Sequence, residues 1–331
     1  MSVKEEMTAI LGKARGFWEA RILMTAAELD VFSLLQDSPK TTQQICEDLS
    51  SDRRGTEALL NALVALGLLV KEGGAFRTRP GFEEALSRSA PESVLPMILH
   101  MAQLWDRWGK LTEIVLGGEK AQSVEVLERD MEGIKAFIGA MHTIGRGMAR
   151  GVVSRLDLSN SENMIDVGGG SGVYTIAALR AAPQLRATLF DRPLVTDIAR
   201  DRLDEEGLLD RVTLVSGDFY SDALPGGHDL ALLSAIIHQN DPAQNVALYR
   251  KIFDALVPGG TLVIRDHVMS DDHTKPVAGA LFAINMLVNT PGGSTYSLDE
   301  IGEDLEAAGF ADPQLLHRGA MDSLVIARRP G

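Results

Sequence analysis

Asp166-Val167-Gly168-Gly169-Gly170-Ser171-Gly172 stands between an apolar run at 164–167 and a segment of helical composition at 173–181. A strand that passes into a helix through several glycines lets the backbone come close to a ligand, because glycine reaches conformations closed to other residues and carries no side chain to block the approach. Working outward, short apolar runs recur at 164–167, 187–190, 212–215, 230–237 and 261–264, with helical stretches between them. That alternation predicts a parallel sheet covered by helices on both faces. The last two runs, 314–317 and 323–327, have no helix between them and predict an antiparallel hairpin added at the sheet edge. The fold class expected is α/β: a doubly wound, mostly parallel seven-stranded sheet.

Upstream the pattern is helical. Phe17, Ile22, Leu23, Ala26, Leu29 and Phe32 recur near helical spacing. Thr41 suits the N-cap of a short helix, and Asp52 precedes a longer one with Leu59, Leu60, Leu63 and Leu66 that stops near Gly67. Leu68-Leu69-Val70 and Ala75-Phe76-Arg77 flank Glu72-Gly73-Gly74 and read as a hairpin. Three helices and a hairpin in that order make a winged helix. The helix that would enter a DNA groove, 56–66, contains Glu57 and no Lys or Arg, whereas phosphate contacts need clustered cations. Dimerisation fits its broad apolar face better. Between the two regions, Trp105, Trp108, Leu111, Ile114 and Val115 form one stripe and Phe137, Met141, Ile144 and Met148 another, each expected to face a core. The divisions expected are 1–95, an all-helical winged-helix domain apart from its wing; 96–150, a helical linker contributing to a ligand pocket; and 151–331, the α/β domain.

Composition narrows the function. The chain has 331 residues, 45% apolar and 24% charged, ordinary for a globular protein with more than one domain. Its 32 Lys and Arg against 46 Asp and Glu give a net charge of −14, which disfavours binding to nucleic acid or to an anionic membrane. Cys46 is the only cysteine, so no intrachain disulfide or Cys-based metal cluster forms, and no His and carboxylate cluster has metal-ligand spacing. Residues 1–6 carry mixed charges and no apolar run reaches membrane-spanning length, so a cytoplasmic location is expected.

Three carboxylates mark the strand ends. Asp191 ends the second strand, where it can accept hydrogen bonds from a ribose diol; Asp218 ends the third, where it can receive an adenine amine; Asp166 lies at the end of the first, near where an amino acid's ammonium would sit. Their joint placement suits a ligand carrying ammonium, sulfonium, ribose and adenine without phosphate, since so much negative charge opposes pyrophosphate. A nicotinamide dinucleotide would also want a third glycine where Val173 stands.

On these residues, and on Pro258-Gly259-Gly260 before the fifth strand, residues 164–331 resemble the class I S-adenosylmethionine (SAM)-dependent methyltransferases, and nearly the whole chain resembles the plant-type O-methyltransferase family. The resemblance implies SAM as cofactor and S-adenosylhomocysteine as product, no metal, a small aromatic or polyketide-like acceptor, and a homodimer formed by the N-terminal winged helix, which closes over the partner's substrate pocket. It assigns Gly168 to the methionine part, Asp191 to the ribose, and Asp218 with Phe219 to the adenine, with Asp166, Gly170 and Ser234 also at the cofactor. His238, in Ser234-Ala235-Ile236-Ile237-His238-Gln239-Asn240-Asp241, follows the fourth strand toward the crevice. Position alone leaves it between a packed residue and a functional one; the resemblance makes it the general base. His267 matches no catalytic position of the family. The family orients its base with two carboxylates: Asp266 falls at the first position, and Thr295 replaces the second, while Gln239 stands where Asp is common after the base. Family positions also nominate Phe137, Met141, Phe282, Met286, Asn289 and Thr290 as substrate walls. Methylation at carbon or nitrogen, and a SAM-binding relative that hydroxylates or decarboxylates instead, remain alternatives.

Overall fold

The computed structural model describes residues 2–88, 90, 93–118 and 131–331. The chain divides into two compact units, Met1–Trp105 and Asp106–Gly331.

In the first unit, α1 (Val3–Glu28) is started by a capping box in which Ser2 and Glu5 satisfy each other's backbone N–H groups. After α2 (Val31–Leu34) and the two-residue strand β1 (Lys40–Thr41), Thr41 and Gln44 form the same device at the start of α3 (Thr42–Leu49). Asp52 caps α4 (Arg53–Ala65) through Gly55 N–H at 2.7 Å. The wing is β2 (Leu69–Glu72) and β3 (Ala75–Thr78), antiparallel with Glu72 opposite Ala75. Gly73 and Gly74, at φ 57° and 85°, make the tight turn whose twist matches a hairpin. Because β1 pairs with β3, the unit carries a three-stranded sheet, β1-β3-β2, and is not all helical. Phe32, Ile45, Leu60, Leu63, Leu69 and Phe76 make its core, with Leu95 of α5 (Leu95–Gln103).

The expected stripe over 105–115 is not one core-facing helix. It breaks into α6 (Trp105–Trp108) and α7 (Leu111–Val115), and Val115 is 65% exposed. On α8 (Met131–Val153) the buried line is Ile138, Gly145, Ala149 and Val152, leaving Phe137, Met141, Ile144 and Met148 half-buried beside it.

Strands and helices then alternate: β4 (Asn163–Val167), α9 (Val173–Ala181), β5 (Arg186–Asp191), α10 (Pro193–Glu205), β6 (Val212–Ser216), β7 (His228–Ser234), α11 (Pro242–Ala255), β8 (Leu256–Asp266), β9 (Val268–Met269), α12 (Val277–Asn289), β10 (Tyr296–Ser297), α13 (Leu298–Ala307), β11 (Ala311–His317) and β12 (Ser323–Arg328). The seven-stranded sheet has the order β11-β12-β8-β7-β4-β5-β6. β4 to β8 are parallel; β12 enters antiparallel between β8 and β11. Alternate residues serve opposite faces. Ile165, Val167, Leu233 and Ile264 pack on α11 and α13, while Met164, Leu232 and Val263 pack on α8 and α9. Reversal of strand order at β4 opens a crevice above the carboxyl ends of β4, β5 and β7, the usual ligand position in such sheets.

Candidate active site

The glycine turn is the floor of this crevice. Gly168, Gly170 and Gly172 lie at φ 69°, 56° and 77°, a region that costs other residues roughly 1–2 kcal/mol. Gly168 N–H donates to the Phe190 carbonyl at 2.8 Å. A Cβ there would stand 2.8 Å from Ile236 Cδ1, the movable end of that side chain, so it is φ that demands glycine; at Gly170 a Cβ would meet nothing, and φ again demands it.

Asp191, the last residue of β5, holds the turn. Its Oδ2 accepts from Gly170 N–H at 2.8 Å and its Oδ1 from Arg192 N–H at 2.7 Å. Burial pushes its pKa up against those two bonds. Each carboxylate oxygen keeps a second lone pair, so two hydroxyls of a ribose can still be accepted. Asp218 lies two residues beyond β6 rather than at its end. Its Oδ1 accepts from Tyr220 N–H at 2.9 Å, and its Oδ2 is 3.2 Å from Arg192 Nη2, which draws the ends of β5 and β6 together. Phe219 reaches back toward Gly168, 3.4 Å from where a Cβ would be.

Asp166 is placed differently from a rim residue. It is the penultimate residue of β4, almost fully buried beneath Gly169, and accepts from Thr175 Oγ1 at 2.6 Å. Burial, with the Asp191 charge adding, raises its pKa to about 6. Ser234 ends β7 with its Oγ buried near the Tyr174 hydroxyl. Ala235 follows at φ 59°, a strained conformation for a residue with a side chain. The strand therefore stops earlier than the apolar run 230–237 suggests, and His238 sits in a one-turn helix, Ile237–Gln239.

His238 and Asp266 meet across β7 and β8. His238 Nδ1 lies 2.8 and 2.9 Å from the two carboxylate oxygens of Asp266. Burial alone would raise the Asp266 pKa; the imidazole beside it, the His267 N–H at 2.8 Å and Arg265 hold it below the usual carboxylate range. A carboxylate on Nδ1 fixes the tautomer with the proton there and leaves Nε2 as a base. The Phe282 ring stands edge-on to His238, centroids 4.9 Å apart. Thr295, at the second carboxylate position, is buried and donates to the Gly279 carbonyl at 3.3 Å. Among the described residues no three His, Cys, Asp or Glu side chains are grouped to hold a metal.

Comparison with known proteins gives this geometry its context. The O-methyltransferase domain model matches residues 115–311, and the O-methyltransferase dimerisation domain model matches 12–84. The chain belongs to the O-methyltransferase family. It is 32% identical to the tetracenomycin polyketide synthesis 8-O-methyl transferase TcmO of Streptomyces glaucescens, over 97% of this chain and 96% of that one. It is 33% identical to the 3-hydroxy-5-methyl-1-naphthoate 3-O-methyltransferase of Streptomyces sahachiroi, over 92% and 90%. At 28% identity, over 97% and 96%, it also resembles the N,N-dimethyltransferase OxyT of Streptomyces rimosus. The structure of human N-acetylserotonin methyltransferase in complex with SAM superposes with a TM-score of 0.86 at 26% identity, covering all of both chains.

In this methyltransferase the nominated wall residues are spread over two helices. Phe282, on α12, touches His238 and stacks on His267 at 4.5 Å. Met286 is buried one turn further on. Asn289 is tied to Asn285 and accepts from Arg107 at 3.3 Å, and Thr290 closes the helix by bonding the Met286 carbonyl and Gly293 N–H. Phe137, on α8, packs instead against Ile134, Ile138 and Val195, and Met141 is half-buried one turn beyond it.

Two residues that sequence reasoning passed over belong to the site. His142 Nδ1 is 2.9 Å from Ser171 Oγ in the glycine turn. Burial, helped by Arg202 and Arg146, lowers its pKa to about 4, so it is neutral near pH 7. The available signal was Gly145, a glycine in mid-helix three residues on, which marks close approach by another element. The second is Tyr220, whose hydroxyl accepts from Gln239 Nε2 at 3.2 Å and donates to Asn240 Oδ1 at 2.5 Å. No local pattern announces that contact.

Proposed function

We propose that the chain transfers the methyl group of SAM to a hydroxyl of a small aromatic or polyketide-like acceptor, with His238 as general base, and works as a homodimer. The observation that carries the proposal is the His238–Asp266 pair, with Nε2 left as acceptor beside Phe282. SAM supplies an electrophilic methyl group on sulfur. Gly168, Gly170 and Ser234 would line its methionine end, Asp191 its ribose, and Asp218 and Phe219 its adenine; Asp166 serves from beneath the turn. The residues fit such a group: positive-φ glycines with no obstructing side chain, and a carboxylate with free lone pairs at the end of β5.

Removing a phenolic proton by an ordinary histidine costs about 5 kcal/mol before attack, from pKa values near ~10 and ~6.5. Buried Asp266 lowers that cost by stabilising the imidazolium as the proton arrives at Nε2. Phe282 and Met286 offer an apolar wall for a flat acceptor, with Phe137, Met141, Asn289 and Thr290 completing the pocket. The dimerisation domain supports assembly with a second copy of the chain.

A second reading, methyl transfer to nitrogen, is favoured by Thr295: its hydroxyl is bonded to the Gly279 carbonyl, so His238 is backed by one carboxylate, and a neutral amine needs less base. The test is incubation with SAM carrying a labelled methyl group and matched phenols and aryl amines, with His238→Ala alongside. Label on a phenol with wild type alone supports the proposal. Transfer to phenols by His238→Ala at the wild-type rate would remove His238 as the base, and label confined to amines would establish the second reading.

A further inference from the structure

We propose that Tyr220 is a positioning residue that couples the adenine end of the cofactor site to His238, an inference resting on the cofactor reading above. The coupling begins in the turn that carries Asp218 and Phe219. Asp222 N–H and Ser221 N–H both donate to the Asp218 carbonyl, at 2.7 and 3.0 Å, and Asp222 Oδ2 accepts from Asp218 N–H at 2.8 Å. Lys251 of α11 donates to the carbonyls of Phe219, Tyr220 and Asp222 at 2.9, 2.7 and 2.9 Å. Held at this many points, residues 218–222 move as one body. A ligand that repositions Phe219 also moves Tyr220, whose ring centroid lies 4.6 Å from that of Phe219.

The far end of Tyr220 touches the turn that carries the base. Its hydroxyl sits between Gln239 and Asn240, the two residues after His238. Asn240 is fully buried: its Nδ2 donates to Asn245 Oδ1 at 2.9 Å, and its carbonyl accepts from the Tyr296 hydroxyl. Asn245 Nδ2 in turn donates to the Ile237 carbonyl at 3.2 Å, on the other side of His238. The one-turn helix at 237–239 is thus gripped on both flanks; the Tyr220 hydroxyl joins it directly to the adenine turn, and α11, which carries both Asn245 and Lys251, joins the two less directly. Gln239 has a role here that a carboxylate could not fill in the same way, since its amide donates to Tyr220 while the hydroxyl proton goes to Asn240. Loss of that hydroxyl leaves a buried Asn240 oxygen without a donor, which favours a shift of the whole turn.

The coupling is read at His238 itself, without any acceptor. In full-length protein labelled at histidine Cε1, the His238 resonance is identified by its loss in His238→Gln. Saturating adenosine, which engages only the adenine and ribose end, is expected to move that resonance in wild type. In Tyr220→Phe, adenosine should still bind while the His238 response falls about fivefold or more, the scale of a modest coupling between sites. Gln239→Leu, which removes the second bond to the hydroxyl, should reduce the response in the same direction. An unchanged response in Tyr220→Phe overturns the proposal, as does a wild-type resonance that ignores adenosine. Loss of adenosine binding in Tyr220→Phe also overturns it, because the hydroxyl would then serve the ligand and not His238. The labelled-methyl assay with His238→Ala judges the base assignment separately, so the two can fail independently.

Discussion

Asp266 is the residue on which the chemistry of His238 turns, because it is buried and holds Nδ1 with both oxygens. Asp266→Asn keeps the shape but removes the charge that stabilises the imidazolium, so turnover should fall about 10²–10⁴-fold with little change in SAM affinity. Single-turnover rates and calorimetry on one preparation separate the two effects. Asp166 supports a prediction about pH. Its carboxyl titrates near 6 in the folded chain, against roughly 4 when unfolded. The folded state therefore binds that proton more tightly, and the associated stability is fully present below about pH 4 and lost as pH rises through 6. Asp166→Asn, which can still accept from Thr175, should melt higher than wild type at pH 8 and lose that advantage by pH 4. Melting curves at the two pH values check this, and an advantage independent of pH would mean the carboxyl is not under strain. The position of Asp191 was legible in the sequence because it closes an apolar run as the last residue of β5, whereas Asp218 was placed only to within two residues, since β6 ends at Ser216. His142 was not, since its partner Ser171 is 29 positions away on another element.

Elements explain why the glycine turn is held where it is. α8 crosses the start of α9 so closely that a Cβ at Gly145 would stand 2.7 Å from Val173 Cγ1, while at Gly147, two residues on, a Cβ would meet nothing. Helix propensity favours alanine over glycine by about 1 kcal/mol at both positions. Gly147→Ala should therefore stabilise by roughly 0.5–1 kcal/mol, whereas Gly145→Leu should destabilise by about 1–3 kcal/mol through overpacking. The larger side chain should also weaken SAM binding, since Val173 directly follows the glycine turn and His142 lies one turn earlier on α8. Denaturant titrations, with SAM affinity measured beside them, distinguish the pair; equal effects at the two sites would contradict the packing argument. The same elements show how far periodicity reaches. Of the parallel strands, β4, β5, β7 and β8 were readable because each carries a buried apolar run. β8 is longer than its apolar run because Pro258-Gly259-Gly260 lies inside it, and the 105–115 stripe misled because Gly109 and a second helix start interrupt a pattern that spacing alone joins.

At the scale of the whole molecule, the feature that one chain leaves unresolved is α1. Val3, Met7, Ile10, Leu11, Phe17 and Trp18 are all more than half exposed, Met7 at 60% and Ile10 at 65%. Val3, Met7, Ile10 and Phe17 keep the alternating three- and four-residue spacing of a seam, with Ala14 in the gap. Scattered surface apolar residues need no explanation, but a stripe along four turns of one helix is what an interface buries. The winged-helix order of the unit was readable from caps and hairpin, and the acidic surface argued for a protein partner over DNA. The sequence did not reveal that the first half of α1 stands clear of its own unit's core, which begins near Ile22. A homodimer that buries this stripe should sediment at twice the chain mass. Met7→Glu with Ile10→Glu places two charges in the seam, where desolvation makes them costly. The double variant is expected to sediment as a monomer with its α/β unit intact by circular dichroism. A double variant that remains dimeric at micromolar concentration would move the interface off this face of α1 and onto the wing or α4.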